Sequence, residues 1–242
     1  VNKKTDTKSI QLEFYLTPEH ECPYLPEQKS KTLFLTPELE PNIKIYDWLI
    51  DKGFRRSGDH VYRPHCENCK ACISVRLKVG QLQPSKQQKR CLNKGRRFST
   101  KIQPAKFDLE HFNLFERYIN SRHADGDMYP TSEKQYKDFI LCDWMNTQFL
   151  DFIEPTTGQL MGCAVFDQLK DGLSAIYTFF DPDYSKFSPG RLAVLSLLEL
   201  TEQLNLNYLY LGYWIQNCRK MSYKGEYRPI ECFVEDRWVS LS

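Results

Sequence analysis

Gln148-Phe-Leu-Asp-Phe-Ile-Glu154, Met161-Gly-Cys-Ala-Val-Phe-Asp167 and Ser174-Ala-Ile-Tyr-Thr-Phe-Phe180 are three short runs dominated by apolar and aromatic residues. Residues 155–158 and 170–172 between them carry the Pro, Gly and Asp of tight turns, so the three runs predict an antiparallel meander. Downstream, residues 189–204 are a long apolar stretch with Pro189 in the first turn, where its missing N–H costs nothing, and they predict a helix. Residues 207–211 predict a further strand. Upstream, 109–121 and 131–141 have helical periodicity, the second opening with Ser132 and Glu133 after Pro130. Earlier still, 10–16 and 33–35 predict strands, and 42–52 a helix capped by Asn42 and ended by Gly53. Residues 53–62 predict a hairpin, 73–79 a strand, and 84–97 a basic helix. Pro104 marks a boundary, which divides the chain into 1–103 and 104–242.

The 242 residues carry a net charge of only +2, with 26% charged and 14% aromatic side chains, too many aromatics for a disordered chain. That net charge averages two opposite regions. Between Glu67 and Asp108 there is no acidic residue, and eleven Lys and Arg give the segment +11 against −9 for the rest. A one-sign block of this length points to a polyanion, nucleic acid ahead of a membrane surface, or to a solvated basic linker. No apolar run approaches the ~20 residues of a membrane span, and the Lys/Thr/Ser-rich start has no apolar core of a signal peptide. The expectation is a cytoplasmic protein without a membrane partner.

Nine cysteines are an odd number, and without a secretion signal a disulfide framework is not expected. Cys91, Cys142, Cys163, Cys218 and Cys232 are scattered and read as small buried apolar residues. Cys66, Cys69 and Cys72 are different: two-residue spacers bring three thiols within seven residues, and Cys22 is available upstream as a fourth. Thiolates so spaced can wrap one soft ion such as zinc. The same spacing opens the ferredoxin iron–sulfur pattern, but after Val75 Arg76 and Leu77 stand where that pattern continues to Cys-Pro.

Two helices, a three-stranded meander, a helix and a strand follow the order of an acyl-CoA N-acyltransferase-like (GNAT) domain. Acyl-CoA enzymes of that fold hold pyrophosphate in a glycine-rich loop at the helix after the meander. Here that loop, 183–191, has one glycine, so acyl-CoA is not the expected donor. Longer strings then read together: Cys22-Pro-Tyr-Leu-Pro26, Gly53-Phe-Arg-Arg-Ser-Gly58, Tyr62-Arg-Pro-His-Cys66, Asp125-Gly-Asp-Met128, Asp171-Gly-Leu-Ser-Ala-Ile-Tyr-Thr-Phe-Phe-Asp-Pro-Asp183, and Tyr210-Leu-Gly-Tyr-Trp-Ile215, continuing as Cys218-Arg-Lys-Met-Ser-Tyr-Lys224. In this the chain resembles the bacterial aspartate/glutamate leucyltransferases, relatives of the eukaryotic arginyl-tRNA–protein transferases.

The resemblance implies an α+β protein, with a cysteine-bearing N-terminal α/β domain followed by a GNAT-like domain built on a mixed, mainly antiparallel sheet. It implies transfer of leucine from leucyl-tRNA to the N-terminal Asp or Glu of a protein, which creates a degradation signal. Arginine as the donor amino acid is the alternative, and a nonenzymatic zinc-ribbon RNA-binding adaptor is the rival of another class. It also implies a zinc or iron–sulfur cofactor on Cys22, Cys66, Cys69 and Cys72, although the chemistry requires none. Aminolysis of an ester is downhill, and an α-amine with a pKa of about 7.7–8.0 is partly neutral at pH 7. Positioning is the main task.

For the acceptor carboxylate, Arg55, Arg56 and Arg76 are the leading candidates, followed by Lys89 and Arg90, because guanidinium makes a planar fork. For the unpaired CCA end, Tyr210, Tyr213, Trp214, Lys220, Tyr223 and Lys224 combine stacking surfaces with cations. Asp125, Asp127, Asp181 and Asp183 are candidates to order the attacking amine or act as base, with turn formation as the alternative.

Overall fold

The computed structural model describes residues 11–242 except Asp125 and Asp127, so these two candidate aspartates and Ile10 lie outside the described residues. In chain order the strands are β1 (Phe14–Leu16), β2 (His20–Glu21), β3 (Lys29–Ser30), β4 (Thr32–Leu35), β5 (Arg55–Ser57), β6 (His60–Pro64), β7 (Ile73–Lys78), β8 (Ser99–Pro104), β9 (Thr147–Ile153), β10 (Leu160–Gln168), β11 (Gly172–Phe180), β12 (Tyr208–Trp214), β13 (Ile230–Val234) and β14 (Arg237–Leu241). The helices are α1 (Ile43–Ile50), α2 (Lys86–Gly95), α3 (Leu109–Arg122), α4 (Glu133–Ile140) and α5 (Pro189–Gln203), with 3-10 turns at Pro182–Phe187 and Ser222–Glu226.

The meander β9–β10–β11 is the body of an eight-stranded sheet of order β14-β13-β7-β12-β11-β10-β9-β8. Every neighbouring pair in it is antiparallel except β11 and β12. The chain is therefore α+β with a mixed, mainly antiparallel sheet. β7, from the segment before Pro104, lies between β13 and β12 in this sheet. Strand alternation divides the core. On β10, Met161, Ala164 and Phe166 face a cluster with Leu192, Leu195 and Leu197 of α5, while Cys163 and Val165 face Phe115 of α3 and Tyr136 of α4. A smaller sheet, β1-β4-β6-β5, shares with α1 a third cluster built on Tyr46, Leu49 and Phe54.

Local signals set the ends of these elements. Asn42 accepts from the backbone N–H of Lys44 and Ile45, and Ser85 and Gln88 form a reciprocal capping box. His111 ties α3 to β9: its Nδ1 meets Asp108 at 2.6 Å and its Nε2 meets Asp151 at 2.9 Å. Burial opposes the imidazolium there, but the two carboxylates outweigh it and raise the His111 pKa.

The two sheets are clasped by one buried ion pair. Arg56 on β5 donates from Nε and Nη2 to the two oxygens of Asp167 on β10, at 2.6 and 2.5 Å. Its Nη2 also reaches Thr147 Oγ1, and its Nη1 the carbonyl of Gly58. Both charged side chains are 0% exposed. Arg56 was expected to grip an acceptor carboxylate; instead its donors are spent on the fold. Gly58, in the hairpin turn, lies so close to α4 that a Cβ would strike the Asp138 carbonyl.

Arg56→Ala leaves Asp167 charged and dry, so it should lower the unfolding free energy by about 3–5 kcal/mol. Arg56→Lys, which cannot fork, should recover little of that. Urea denaturation checks both.

Candidate functional site

β11 and β12 run parallel for three register pairs, Gly172–Tyr208, Leu173–Leu209 and Ser174–Tyr210. Beyond these, β11 pairs only with β10 and β12 only with β7, so the two strands open into a V. Gly212 relaxes β12 at the opening: it follows a register shift against β7 and has φ +81°, a conformation L side chains resist.

Arg55 fills the throat of the V. It is 5% exposed, and its Nη2 donates to the Ala175 carbonyl at 2.5 Å. Its Nη1 is buried without a hydrogen-bond partner, while the nearby Tyr46 and Ser174 hydroxyls lean on each other. A buried donor left unmade costs about 1–3 kcal/mol, more when charged, so Arg55 Nη1 calls for a ligand or ordered water. A carboxylate is the natural partner of a guanidinium N–H.

The turn Ser222–Glu226 packs against β12. Lys224 is buried there, and its Nζ donates to the Tyr213 carbonyl at 2.8 Å and contacts Met221 Sδ at 3.4 Å. Burial, and then the charge of Arg55, push its pKa down to about 7. Trp214 Nε1 donates to the Ser222 carbonyl at 3.2 Å, and its ring lies against Gly225, where a Cβ would come within 2.9 Å of Nε1. Tyr213 Oη donates to the Gly53 carbonyl at 2.9 Å. Tyr223 is 42% exposed and Lys220 is exposed beside this turn.

The four expected ligand cysteines line one cavity of about 590 Å³ with Tyr24, Tyr62 and Tyr213. Burial first, then crowding by Cys22, Cys66, Cys69 and Cys218, push the Cys72 thiol up to about 12. Four thiols on one cavity are a donor set whose chemistry suits zinc or an iron–sulfur cluster, and Cys22, Cys66, Cys69 and Cys72 are the residues that would hold either. Among the described residues, however, the ligand atoms already gathered within 4.8 Å of one another are those of His111, Asp151 and Cys163. Of the other five cysteines, Cys91, Cys163, Cys218 and Cys232 are buried and Cys142 is half-buried.

Several expected site residues are committed elsewhere. Arg76 donates to Glu231 at 2.7 Å and to Asp51 at 3.0 Å, and its guanidinium lies between the rings of Tyr208 and Trp238, 3.6 and 4.1 Å from their centroids. Tyr210 is buried and donates to Asp51 at 2.6 Å, so it offers no free stacking face. Asp181, 1% exposed, takes both Arg117 nitrogens at 3.0 Å and also accepts from Gln159 and the Asp183 amide, which leaves little capacity for a base. Asp183 is exposed and also meets Arg117. Lys89 and Arg90 stand with Lys86 and Lys94 on the exposed face of α2.

Sequence reading missed Ser174 and Tyr46 because nothing in their spacing marks them. Gly212 did carry a signal: glycine inside a strand marks a bulge or close backbone approach, here by Arg55, whose Nε would be 3.4 Å from a Cβ.

The chain matches two family models, "Arginine-tRNA-protein transferase, N terminus" over residues 20–90 and "Arginine-tRNA-protein transferase, C terminus" over residues 110–234. It is 48% identical to the aspartate/glutamate leucyltransferase of Pseudomonas aeruginosa strain LESB58 over 236 residues, 98% of this chain and all of that one. It is 46% identical to the protein of the same name from Pseudomonas fluorescens strain Pf0-1 over 238 residues, again 98% of this chain and all of the relative. Among solved structures, L-PGS from Bacillus licheniformis superposes with a TM-score of 0.44 at 11% identity, over 60% of this chain and 48% of that one, about half its length. With full-length relatives at this identity and both halves matched by the transferase models, the chain belongs to the aspartate/glutamate leucyltransferases of the arginine-tRNA–protein transferase family.

Proposed function

We propose that this chain moves the leucyl group of leucyl-tRNA onto the N-terminal Asp or Glu of an acceptor polypeptide, forming a peptide bond and marking the product for proteolysis. The observation that carries this reading is Arg55, a buried guanidinium with one N–H unmet at the opening of the β11–β12 V. A carboxylate entering there meets a charge-assisted donor in a dry site, and the α-nitrogen that follows it is held beside the Lys224 turn. The splayed parallel pair after a three-stranded meander supports a GNAT-like reading of the catalytic half. The single-glycine loop before α5 supports a donor other than acyl-CoA.

The donor is a polyanion, and Lys86, Lys89, Arg90 and Lys94 offer it four cations along one exposed helix face. Tyr223, with Trp214 behind it, offers aromatic surface near the V for a terminal base. Charged tRNA is a cytoplasmic molecule, which puts the reaction in the cytoplasm, and among the described residues no helix is long and apolar enough to cross a membrane. Bound on Cys22, Cys66, Cys69 and Cys72, a zinc ion or iron–sulfur cluster would fix the loop that leads into β7; the transfer itself needs no metal.

The purified chain should transfer leucine from leucyl-tRNA to a peptide beginning with Asp or Glu and not to one beginning with Ala. Arginyl-tRNA in a parallel reaction tests the alternative donor, and absence of transfer from active leucyl-tRNA overturns the reading. With about four phosphate contacts on α2, leucyl-tRNA affinity should fall on the order of 100-fold between 50 and 200 mM salt. Lys89→Ala with Arg90→Ala should cut the log–log salt slope by about two.

Arg55→Met should lower kcat/KM for Asp-starting peptides about 10–100-fold, the value of one hydrogen bond to a charged group, with leucyl-tRNA affinity kept. Equal losses in both measurements would remove Arg55 from the acceptor site. Elemental analysis of anaerobically purified protein should find stoichiometric zinc or iron, lost when Cys66, Cys69 and Cys72 are changed to Ser.

A further inference from the structure

A lysine is rarely taken out of water without an anion to meet it. Lys224 is 6% exposed, yet both its Nζ partners, the Tyr213 carbonyl and Met221 Sδ, are uncharged. The titratable groups that face it are Arg55 from β5 and the Cys218 thiol from the loop after β12, and its Nζ stands 5.2 Å over the ring of Tyr223 on its own turn. None is a carboxylate. The position is also rigid, because Trp214 holds the Ser222 carbonyl on one side of Lys224 and packs on Gly225 on the other. A neutral amine in this place can give one hydrogen to the Tyr213 carbonyl and keep its lone pair for another group.

We propose that Lys224 is the proton acceptor of the transfer reaction. The proposal rests on the acceptor reading of Arg55 above: only the short Asp or Glu side chain separates a carboxylate on Arg55 from the α-nitrogen beside Lys224. The acceptor enters as the amine, its ammonium proton already lost to water. Its nitrogen attacks the leucyl carbonyl carbon, the C–N bond forms, and the nitrogen becomes cationic. Lys224 takes that proton and becomes an ammonium. The ester C–O bond then breaks, and the 3′ oxygen of the tRNA leaves with the proton from Lys224, which returns to the neutral amine. The lowered pKa of about 7 suits both halves of this cycle, since a group that takes and returns a proton works best near the operating pH. Arg55 holds the carboxylate, while burial, the larger cause of the lowered pKa, keeps Lys224 available as the amine.

The test is single-turnover leucyl transfer from leucyl-tRNA to an Asp-starting peptide by the full chain, measured from about pH 6 to pH 9. The wild-type rate should rise through two ionisations, the peptide α-amine and a second group near 7, and Lys224→Ala should keep only the first. Lys224→Arg keeps the charge but cannot release its proton, and Lys224→Ala leaves a gap. Both should lose about 10²–10⁴-fold in rate with leucyl-tRNA affinity unchanged. Added ethylamine should restore part of the Lys224→Ala rate. A Lys224→Arg rate within about threefold of wild type, or a Lys224→Ala pH profile identical to wild type, overturns the proposal and leaves Lys224 a structural cation. If wild type itself moves no leucine to the peptide, the transferase reading fails instead. Should the variants not fold, NMR of wild type labelled at lysine Cε decides: one resonance titrating near neutrality supports the proposal, and none below about pH 9 overturns it.

Discussion

Everything at the candidate site depends on how β5 is held against the large sheet, and that is the work of Arg56 and Asp167. Successive strand residues point to opposite sides. Once Arg56 is locked inward on β10, its neighbour Arg55 must face the V between β11 and β12. A shift of one residue would put Arg55 on Asp167 and turn Arg56 elsewhere, reversing the two roles. Gly58 closes the other end of the hairpin, since no larger residue fits beneath the Asp138 carbonyl. The pair gives up two hydration shells for a fork with 2.5 and 2.6 Å contacts, and it secures register more surely than net stability.

The V and the cysteine cavity are neighbours through β12 and β7. Cys72 directly precedes Ile73, which is in register with Trp214, while Tyr62 and Tyr213 line the cavity and their rings stand 6.1 Å apart. Tyr213 also supplies the carbonyl that holds Lys224, and its hydroxyl reaches back to Gly53, two residues before Arg55. One aromatic residue thus touches Lys224, the approach to Arg55 and the rim of the thiol cavity. The cysteine loop and the candidate site are therefore joined by a short path of direct contacts.

The elements with clean periodicity were legible in the sequence. The meander, α3, α4, α5 and the Asn42-capped α1 lie within a few residues of where patterning puts them, because each buries a single stripe or alternates faces. β8 was not legible: it is an edge strand, exposed along almost its whole length, and ends in Pro104. The hairpin β13–β14 was hidden by polar residues on an exposed face. At the site, residue type suggested arginines but could not rank them. Arg55, Arg56 and Arg76 have the same chemistry, and only their three-dimensional partners separate an arginine with an unmet donor from two already engaged with carboxylates. Lys224 read from the sequence as a cation for the CCA end, because its burial depends on how Trp214 seats the turn around it.

The basic block shows why linear charge is a poor measure of a binding surface. Its eleven cations do not form one belt. Arg76 is buried and balanced by Glu231 and Asp51, and Arg97 is drawn to Glu154 at 2.7 Å. Lys78 ends a strand between two others, and Lys101 stands on the edge strand β8. What remains as a coherent face is α2, where helical spacing sets Lys86, Lys89, Arg90 and Lys94 along one groove. Gln88, Cys91 and Gly95 turn inward on the same helix, and Gly95 lets Leu192 of α5 pack hard against it. The apolar side of α2 therefore fixes the direction in which its charges point. Counterion release counts only cations that can lie along a phosphate backbone together, so the effective number is nearer four than eleven.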